Sequence, residues 1–452
     1  MMIQFGYWKA INRHFNFQDF FTNINTPSHL WLFSLQTFFN PWGFLPISVY
    51  GFFLFYIEPK APKKFLASFS TISGLVVLMA SAAYFFNQPN HVSFASSSFY
   101  RSMAQAAFAE SDQRNAIREV VPTSENAKSP DKNIIFIIDE SIKFSHMSLY
   151  GYERDTTPTL RKLHEDGKIV LWDDAIATTS CSVMSNAALI SGIGSLPDTD
   201  RRVHKNPTIF QYAKAMGYTT HYYDGQFSRL WNGMKNDDLI FVDAYENSAT
   251  LLHPRPVESD IRIAEKIAPI LEDGVGHFFV VNKSGVHFPY EETFPESELI
   301  WSDTPPRLPN RNVADMHNAY DNGLAYNSET FFTRLLRDES ILDNTVILYT
   351  SDHGQNLGED EDNWSHCGDS KWEVQVPLFI IGTVPTTIDP SFKAHHFNIF
   401  STLLDLMDVP NDLRTQNYPI SLFEATFADS APRYYLTGYL DFFSSAPILY
   451  KE

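Results

Sequence analysis

The chain has 452 residues, a formal net charge of -19 at pH 7 and only 2 cysteines. This length is enough for one large α/β domain and an additional region, and two cysteines are too few for a disulfide framework. The acidic excess argues against nucleic acid as a partner, because a phosphate backbone binds basic surfaces.

Two long uncharged stretches lie in the first hundred residues, which are also rich in aromatic side chains. Residues Phe65–Phe86 carry no charge and are long enough for a membrane-spanning helix. Residues Leu30–Ile57 are also uncharged and are predicted to form a second span, which is either kinked at proline, with Pro46 interrupting its apolar run, or partly re-entrant. The lysines between the two stretches place the connecting loop in the cytoplasm, so the second span would carry the following chain outward. We therefore predict a membrane region over residues 1–86.

A polar, irregular segment over residues 87–132 follows the predicted membrane region. We interpret it as a juxtamembrane segment and then a linker. The stretch Pro122–Asp131, PTSENAKSPD, is the clearest boundary in the chain, because Pro, Ser and Asn disfavour regular structure. The catalytic domain is expected to occupy residues 133–452.

Buried strands alternate with helices in this predicted domain. Uncharged runs of β-branched and aromatic residues are typical of strands that are buried on both faces. Strands are predicted at Asn133–Asp139, Thr219–Asp224, His277–Asn282, Thr345–Thr350 and Val376–Gly382, and helices at Thr157–Asp166, His317–Leu336 and Phe397–Met407. The alternation predicts an α/β fold with a doubly wound, mostly parallel sheet flanked by helices.

Polar residues collect where these strands end. Asp139 and Glu140 follow the first strand, and Asp352 and His353 follow the strand that begins at Thr345. Open α/β sheets place their chemistry at the carboxyl ends of the strands. Adjacent strand residues point to opposite faces, so Asp352 and His353 reach one ion only if the chain turns there, which Gly354 permits.

A run of small hydroxyl residues, Ala177–Ser182, leads into an apolar, helix-forming stretch that ends at Gly192. A helix amino terminus presents free N–H groups and a positive dipole end to an anion. A serine at this place is a candidate nucleophile beside such an anion, or alternatively only an N-cap. The residues alone leave both readings open.

The order of these residues resembles the alkaline phosphatase and sulfatase superfamily, and within it the membrane-bound phosphoethanolamine transferases. The resemblance covers nearly all of residues 133–382. It rests on the stretches ESIKFSHMSLYGYERDTTPTL, SVMSNAALISG, GVHFPY, YDNGLAYNSETFFTRLL, SDHGQNLGE and WSHCG, which follow the order found in that family. The patterns SLYGYxRxTTPxL and SDHGxxLGE are the most specific of them.

The resemblance implies a metal site and a nucleophile. Glu140, Asp352 and His353 would bind zinc, and Ser182 would be both the nucleophile and a further ligand. His287 and His366 would act as catalytic residues that handle the phosphate and protons, and together with Asn186 they would contact the substrate. One or two zinc ions are expected, or another divalent metal. Asp139 stands where these transferases usually have glycine and is a possible additional ligand.

Besides Asp139, three further departures from the family pattern are visible. Relatives commonly have threonine at the position of Ser182. The frame that sulfatases convert to formylglycine is broken, with Met184 at its proline position and Asn186 at its arginine position, so sulfate ester hydrolysis is disfavoured. The several cysteine pairs of periplasmic relatives are missing. Cys181 and Cys367 each neighbour a site residue and either form one disulfide or remain free thiols.

The implied activity is transfer of phosphoethanolamine from phosphatidylethanolamine to a cell-envelope lipid or glycan, such as lipid A or core oligosaccharide, through a covalent Ser182 intermediate. The domain would face the periplasm from the bacterial inner membrane. Phosphoglycerol transfer and phosphodiester hydrolysis are alternatives within the superfamily. An inactive protein that binds a lipid or glycan is an alternative of another class.

Overall fold

The computed structural model describes residues 116–122, 129–228, 230, 232–251, 256–302, 313–360, 364–385, 388–437 and 447–451. All of them belong to one compact unit, which includes Asp112–Glu452. The predicted spans Leu30–Ile57 and Phe65–Phe86 lie outside the described residues, as does most of the predicted juxtamembrane segment. Among the helices that are described, none is both long and apolar enough to cross a bilayer.

Twelve strands and seven α-helices are found in the described part of the chain. The strands are β1 (Asn133–Asp139), β2 (Ile169–Ile176), β3 (Thr219–Asp224), β4 (Ala244–Asn247), β5 (His277–Asn282), β6 (Thr345–Ser351), β7 (Asn356–Leu357), β8 (Trp364–Ser365), β9 (Gln375–Ile381), β10 (Ala394–His395), β11 (Tyr434–Tyr435) and β12 (Ile448–Leu449). The helices are α1 (Pro158–Glu165), α2 (Ser182–Ser191), α3 (Arg202–Lys205), α4 (Ile209–Ala215), α5 (Pro256–Asp273), α6 (Val313–Leu335) and α7 (Phe397–Leu406).

Eight strands form the central sheet in the order β10-β2-β9-β6-β1-β5-β3-β4. Strand β9 pairs antiparallel with β2 and β6, whereas the other neighbours in the sheet are parallel. The prediction of a mostly parallel α/β sheet is therefore confirmed. In the register of β1 and β6, Asp139 lies opposite Ser351, so the two strands end side by side. Glu140 and Asp352, the next residues along each strand, start from neighbouring positions.

Apolar side chains cover both faces of the sheet. Alternate strand residues point to opposite faces. Phe136 of β1 packs with Leu348 of β6 in the core on one face, and Ile137 packs with Tyr349 in the core on the other. Full burial of such side chains stabilises the fold by about 1.5–3 kcal/mol each. This two-sided burial explains why the central strands carry no charge before their last residue.

The packed unit extends upstream of the expected start of the catalytic domain. The guanidinium of Arg118 is buried and pairs with Asp238 at 3.0 Å. It also donates to the hydroxyl of Ser191 at 3.2 Å, at the end of α2. Val121 joins the core on one face of the sheet. Part of the predicted linker is therefore seated on the catalytic unit.

Several predicted elements agree with the structure and others differ. Strands β3 and β5 begin and end at the predicted residues. Helix α6 begins at Val313, four residues before the predicted start. Strand β2 and helix α5 were not predicted from the sequence, because each mixes charged residues into its apolar pattern.

Candidate active site

The site lies where β1 and β6 end and α2 begins. Ser182 is the first residue of α2, and its side chain is nearly buried, with 8% of its surface exposed. The Ser182 hydroxyl donates to Oε2 of Glu140 at 3.1 Å and lies 3.1 Å from Nε2 of His353. A nucleophile is most useful where its oxygen meets groups that hold or remove its proton. The geometry therefore favours the reading of Ser182 as a reactive hydroxyl over that of an N-cap, because Cys181 occupies the N-cap position and Ser182 is already the first helical residue.

The chain turns sharply after β6, and this turn brings Asp352 and His353 to one place. A Cβ at Gly354 would collide with the backbone carbonyls of Trp372 and Gln375, so the turn needs glycine there. Nδ1 of His353 donates to the carbonyl of Gly354 at 2.7 Å, which leaves Nε2 to face Ser182 and Glu140 on the site side. Backbone hydrogen bonding thus fixes the tautomer that suits a metal ligand.

Two groups of side chains among the described residues could hold a cation. The first consists of Glu140, Asp352 and His353, and the second of Glu140, His287 and His366. In each group the candidate ligand atoms lie within 4.8 Å of one another. The two groups share Glu140, so two ions could be bridged or one ion could use either set.

The first group fits a divalent metal on its own geometry. Oδ2 of Asp352 is buried and has no hydrogen-bond partner, whereas Oδ1 accepts from the N–H groups of Ser141 at 3.2 Å and His353 at 2.8 Å. A buried carboxylate oxygen without a partner is costly unless a cation or proton satisfies it. Two carboxylates and one imidazole, with the hydroxyl of Ser182 beside them, are a ligand set that zinc accepts.

The same residues have strongly perturbed pKa values without a metal. Burial and the neighbouring carboxylate of Glu140 raise the pKa of Asp352 well above its ordinary value. Burial opposes the charged form of His353, but the carboxylates of Asp352 and Glu140 raise the pKa of that imidazole to about 9. Asp352 and His353 therefore hold protons more readily than usual when no cation is bound. Burial opposes the charged form of Glu140, but the imidazole of His353 lowers the pKa of that carboxylate below its ordinary value.

His287 and His366 lie on the other side of Glu140. Their ring centres are 5.6 Å apart, and the ring of His366 lies 4.2 Å from that of His353. Nδ1 of His287 donates to the carbonyl of Phe288 at 2.6 Å. Nδ1 of His366 lies 3.2 Å from Oε1 of Gln355. Each histidine thus has one nitrogen held by a neighbour, which orients its second nitrogen.

Gln355 contacts the predicted site residue His366 and was missed by the sequence interpretation. Its carbonyl oxygen holds His366, and its amide group donates to the hydroxyl of Tyr290. The available signal was its position, two residues after His353 in the turn that follows a buried strand. Polar residues in such turns are candidates for the site by the same argument that selected Asp352.

Two of the predicted site residues have other partners. Oδ2 of Asp139 lies 2.5 Å from Nζ of Lys283, and its Oδ1 accepts from the backbone N–H of Glu140. Asp139 consequently belongs to neither candidate metal group. Asn186 is buried one turn along α2 from Ser182, where its amide donates to Oε1 of Gln226 at 3.2 Å. Its Oδ1 has no partner.

Cys181 and Cys367 form a disulfide with Cα atoms 4.8 Å apart. The bond joins the residue before Ser182 to the residue after His366. The backbone N–H of Cys367 also donates to the carbonyl of Ser180 at 2.8 Å. Of the two alternatives left open by the sequence, the structure has the pair, and it links the nucleophile's helix to the loop that carries His366.

A profile of the sulfatase family matches residues 132–409, which is more than half of the chain. This chain belongs to the sulfatase family. Among curated proteins, this sulfatase-family chain is 24% identical over 235 residues to the Kdo(2)-lipid A phosphoethanolamine 7''-transferase of Escherichia coli, covering 51% of the chain and 40% of that protein. It is 22% identical over 283 residues to the phosphoethanolamine transferase EptC of Escherichia coli K12, covering 58% and 48%. The chain thus matches less than half the length of these relatives.

Solved structures show the same fold. The C-terminal periplasmic domain of EptC from Escherichia coli, in complex with zinc, superposes on this sulfatase-family chain with a TM-score of 0.57 at 19% identity, covering 71% of the chain and 93% of that domain. The integral membrane protein lipooligosaccharide phosphoethanolamine transferase A (EptA) of Neisseria meningitidis gives a TM-score of 0.65 at 19% identity, covering 90% and 82%. The expected alkaline phosphatase and sulfatase type of α/β fold is confirmed.

Proposed function

We propose that this chain transfers phosphoethanolamine from phosphatidylethanolamine to a lipid or glycan of the bacterial cell envelope. The observation that carries the proposal is the meeting of the Ser182 hydroxyl with Glu140 and His353, each at 3.1 Å, beside the partnerless oxygen of Asp352. The names of the curated relatives support the substrate class. The match covers less than half the length of these relatives, so the acceptor, lipid A or core oligosaccharide, is itself a proposal.

The first half of the reaction forms a covalent intermediate. Ser182 Oγ, after losing its proton to water, attacks the phosphorus of the donor, and the bond from phosphorus to the diacylglycerol oxygen breaks. The leaving oxygen receives a proton from His287 or His366, whose imidazoles lie beside Glu140. Glu140, Asp352, His353 and Ser182 would hold a zinc ion, which when bound stabilises the deprotonated form of a hydroxyl at neutral pH.

The second half returns Ser182 to its starting state. An acceptor hydroxyl loses its proton to the same histidine and attacks the phosphorus, and the bond from phosphorus to Ser182 Oγ breaks. The free N–H groups at the start of α2 face the phosphoryl oxygens throughout. In this proposal Asn186, one turn further along the helix, contacts the substrate through Oδ1, which has no hydrogen-bond partner in the structure.

We propose that the catalytic unit faces the periplasm and that residues 1–86 anchor it in the inner membrane. The disulfide between Cys181 and Cys367 supports an oxidising compartment, because such bonds rarely persist in the cytosol. A donor lipid and an envelope acceptor would then lie at the surface where the enzyme is anchored. Labelling of an introduced cysteine by a membrane-impermeant reagent in intact cells tests this orientation.

The decisive experiment is mass spectrometry of the intact protein after incubation with phosphatidylethanolamine, without an acceptor. A phosphoethanolamine adduct on the peptide that contains Ser182 is expected, and Ser182→Ala should carry none. In a parallel incubation with phosphatidylglycerol, an adduct with the mass of phosphoglycerol, with none formed from phosphatidylethanolamine, would instead establish the phosphoglycerol transferase. Absence of any adduct, together with wild-type levels of modified lipid in cells expressing Ser182→Ala, would overturn the covalent route.

A further inference from the structure

A buried ion pair lies directly behind the candidate site. Nζ of Lys283 is 2.5 Å from Oδ2 of Asp139, and the side chains of both residues are almost completely inaccessible, with 0% and 2% exposed. The hydroxyl of Tyr349 donates to the same carboxylate oxygen at 2.7 Å. The lysine also donates to Oδ1 of Asn327 at 2.5 Å, so both charges are fully enclosed by partners.

This ion pair connects β1 to the loop that carries His287. Lys283 is the first residue after β5, and Asp139 is the last residue of β1. The loop of residues 284–287 follows Lys283 immediately. The pair therefore lies between the candidate ligand Glu140, which follows β1, and the candidate acid His287, in the loop after β5.

The backbone of Glu140 is held on both sides by the same arrangement. Its N–H donates to Oδ1 of Asp139 at 2.9 Å. Its carbonyl accepts from the N–H of Val286, the residue before His287, at 3.0 Å. A Cβ at Gly285 would collide with the carbonyl of Glu140 and with the carboxylate of Asp139, so the loop packs against β1 with no spare room.

A second acid holds the loop from behind. Asp260 accepts from the N–H groups of Ser284 at 2.7 Å and Gly285 at 3.1 Å. Asn327 bridges Asp260 and Lys283, donating to the carboxylate at 2.9 Å. The loop is thus fixed through its backbone at three successive residues, and Lys283 is the charge on which the arrangement centres.

Stability alone is a weak reason for a buried ion pair, because apolar replacements of similar volume are often neutral or stabilising. We propose that the Lys283–Asp139 pair positions Glu140 and His287 relative to each other for the reaction. Lys283 is then a positioning residue: it touches no substrate and acts through Asp139 on Glu140 and through the loop on His287. This inference rests on the proposed function for its rate prediction, but not for its structural prediction.

The test compares Lys283→Met, Asp139→Asn and the double variant, each in the full-length chain reconstituted in detergent with phosphatidylethanolamine. Lys283→Met is expected to lower kcat by about 100-fold with little change in KM, since a misplacement of about 1 Å costs that much. Asp139→Asn keeps the acceptor for the N–H of Glu140 and should lose less. The control is Lys266→Met, which removes an exposed lysine paired with Glu246 and should leave kcat unchanged.

The double variant separates positioning from stability. It removes both charges of the pair together, so its Tm should return toward that of the wild type while kcat stays low. The buried carboxylate of Asp260 loses the attraction of Lys283 in both variants and keeps part of the deficit. Recovery of kcat together with Tm would show that the pair is only structural and would overturn the proposal. If Lys283→Met does not fold, the double variant carries the same comparison.

Hydrogen exchange of the Val286 amide provides a readout that needs no substrate. Faster exchange in Lys283→Met and in the double variant is expected, because the hydrogen bond to Glu140 depends on the placement of the loop. Unchanged exchange in both would overturn the proposal. If the wild type does not react with phosphatidylethanolamine, the proposed function fails, and exchange with hydrolysis of bis(4-nitrophenyl) phosphate then decides the role of Lys283.

Discussion

The hydroxyl oxygen of Ser182 lies 3.1 Å from Nε2 of His353, although 171 positions separate the two residues in the chain. One belongs to the first turn of α2 and the other to the turn that follows β6. The distance between these two atoms therefore depends on how α2 packs against the carboxyl edge of the sheet. Any change that shifts α2 along the edge separates the nucleophile from the ligand set.

Removal of bound metal is expected to lower the Tm of the protein. Without a cation, the carboxylates of Glu140 and Asp352 face each other in a buried site, and a ligand present at a thousandfold excess over its Kd stabilises by about 4 kcal/mol. Metal content and Tm are measured before chelation, after it and after zinc is restored. Asp352→Asn, which removes one negative charge, should respond less to the chelator. If the chelator leaves the Tm of the zinc-loaded wild type unchanged, the assignment of Glu140 and Asp352 as metal ligands is contradicted.

Replacement of both cysteines, in Cys181→Ala/Cys367→Ala, is expected to reduce the free energy of unfolding. The disulfide closes a loop of 186 residues, for which loss of the cross-link costs about 3–5 kcal/mol. Chemical unfolding of both proteins measures the difference. Reductant should destabilise the wild type and leave the double variant unaffected. Titration of free thiols in the unreduced, denatured wild type should find none, and two thiols would refute the pairing.

Much of the sheet could be predicted because its central strands are buried on both faces. All residues between His277 and Asn282 are apolar, and the structure places β5 at His277–Asn282. Strand β2 escaped prediction because Asp173 and Asp174 interrupt it where the pairing with β9 is irregular, between Trp172 and Ala175. The apolar pattern of β2 itself cannot reveal this strand, because the strand is held by hydrogen bonds to β9, which is distant in the sequence.

The site was predictable where its residues follow strand ends, and less so where partners are distant. Glu140 and Asp352 stand out because each ends an apolar run. The partner of Asp139 is Lys283, 144 positions away, whereas Lys143, four residues from Asp139 in the sequence, pairs with Glu359. Its carboxylate was consequently interpreted as a possible metal ligand. Long-range pairing of buried charges depends on the register of β1 and β5, which a single sequence does not contain.

Asp224→Asn is expected to flatten the pH dependence of stability. Burial raises the pKa of Asp224 to about 7, despite hydrogen bonds from the N–H groups of Gln226 and Phe227. The unfolded chain loses this proton near pH 4, so between about pH 4 and 7 the folded state holds the extra proton. Stability therefore falls as the pH rises through that range, by about 4 kcal/mol for a shift of about three units.

The Tm values of the wild type and of Asp224→Asn at pH 5 and pH 8 measure this effect. The variant should gain on the wild type at pH 8. Asp243→Asn is a control for which the opposite effect is expected. Burial raises the pKa of Asp243, but hydrogen bonds from Thr220 and Lys214 lower it overall, so replacement of this carboxylate should destabilise the protein at pH 8. Parallel curves for the wild type and Asp224→Asn would show that Asp224 is ionised in the folded protein throughout.

Arg118→Met is expected to destabilise the catalytic unit strongly. The side chains of Arg118 and Asp238 are each only 5% exposed, and removal of one partner of a buried pair costs about 3–5 kcal/mol because the other charge is left unpaired. The arginine also donates to the carbonyls of Val203 at 3.2 Å and Asn206 at 2.7 Å. Thermal unfolding of the full-length chain measures the loss.

The matched control for Arg118 is Arg161→Met. Arg161 pairs with Asp155 at 2.9 Å, but the two side chains are 45% and 53% exposed, so water replaces the interaction and no measurable change in Tm is expected. Because Arg118 reaches Ser191 at the end of α2, its loss should also lower kcat at temperatures where the variant is folded. Equal Tm values for the two variants would mean that residues 116–122 do not stabilise the catalytic unit, and that this unit begins at β1.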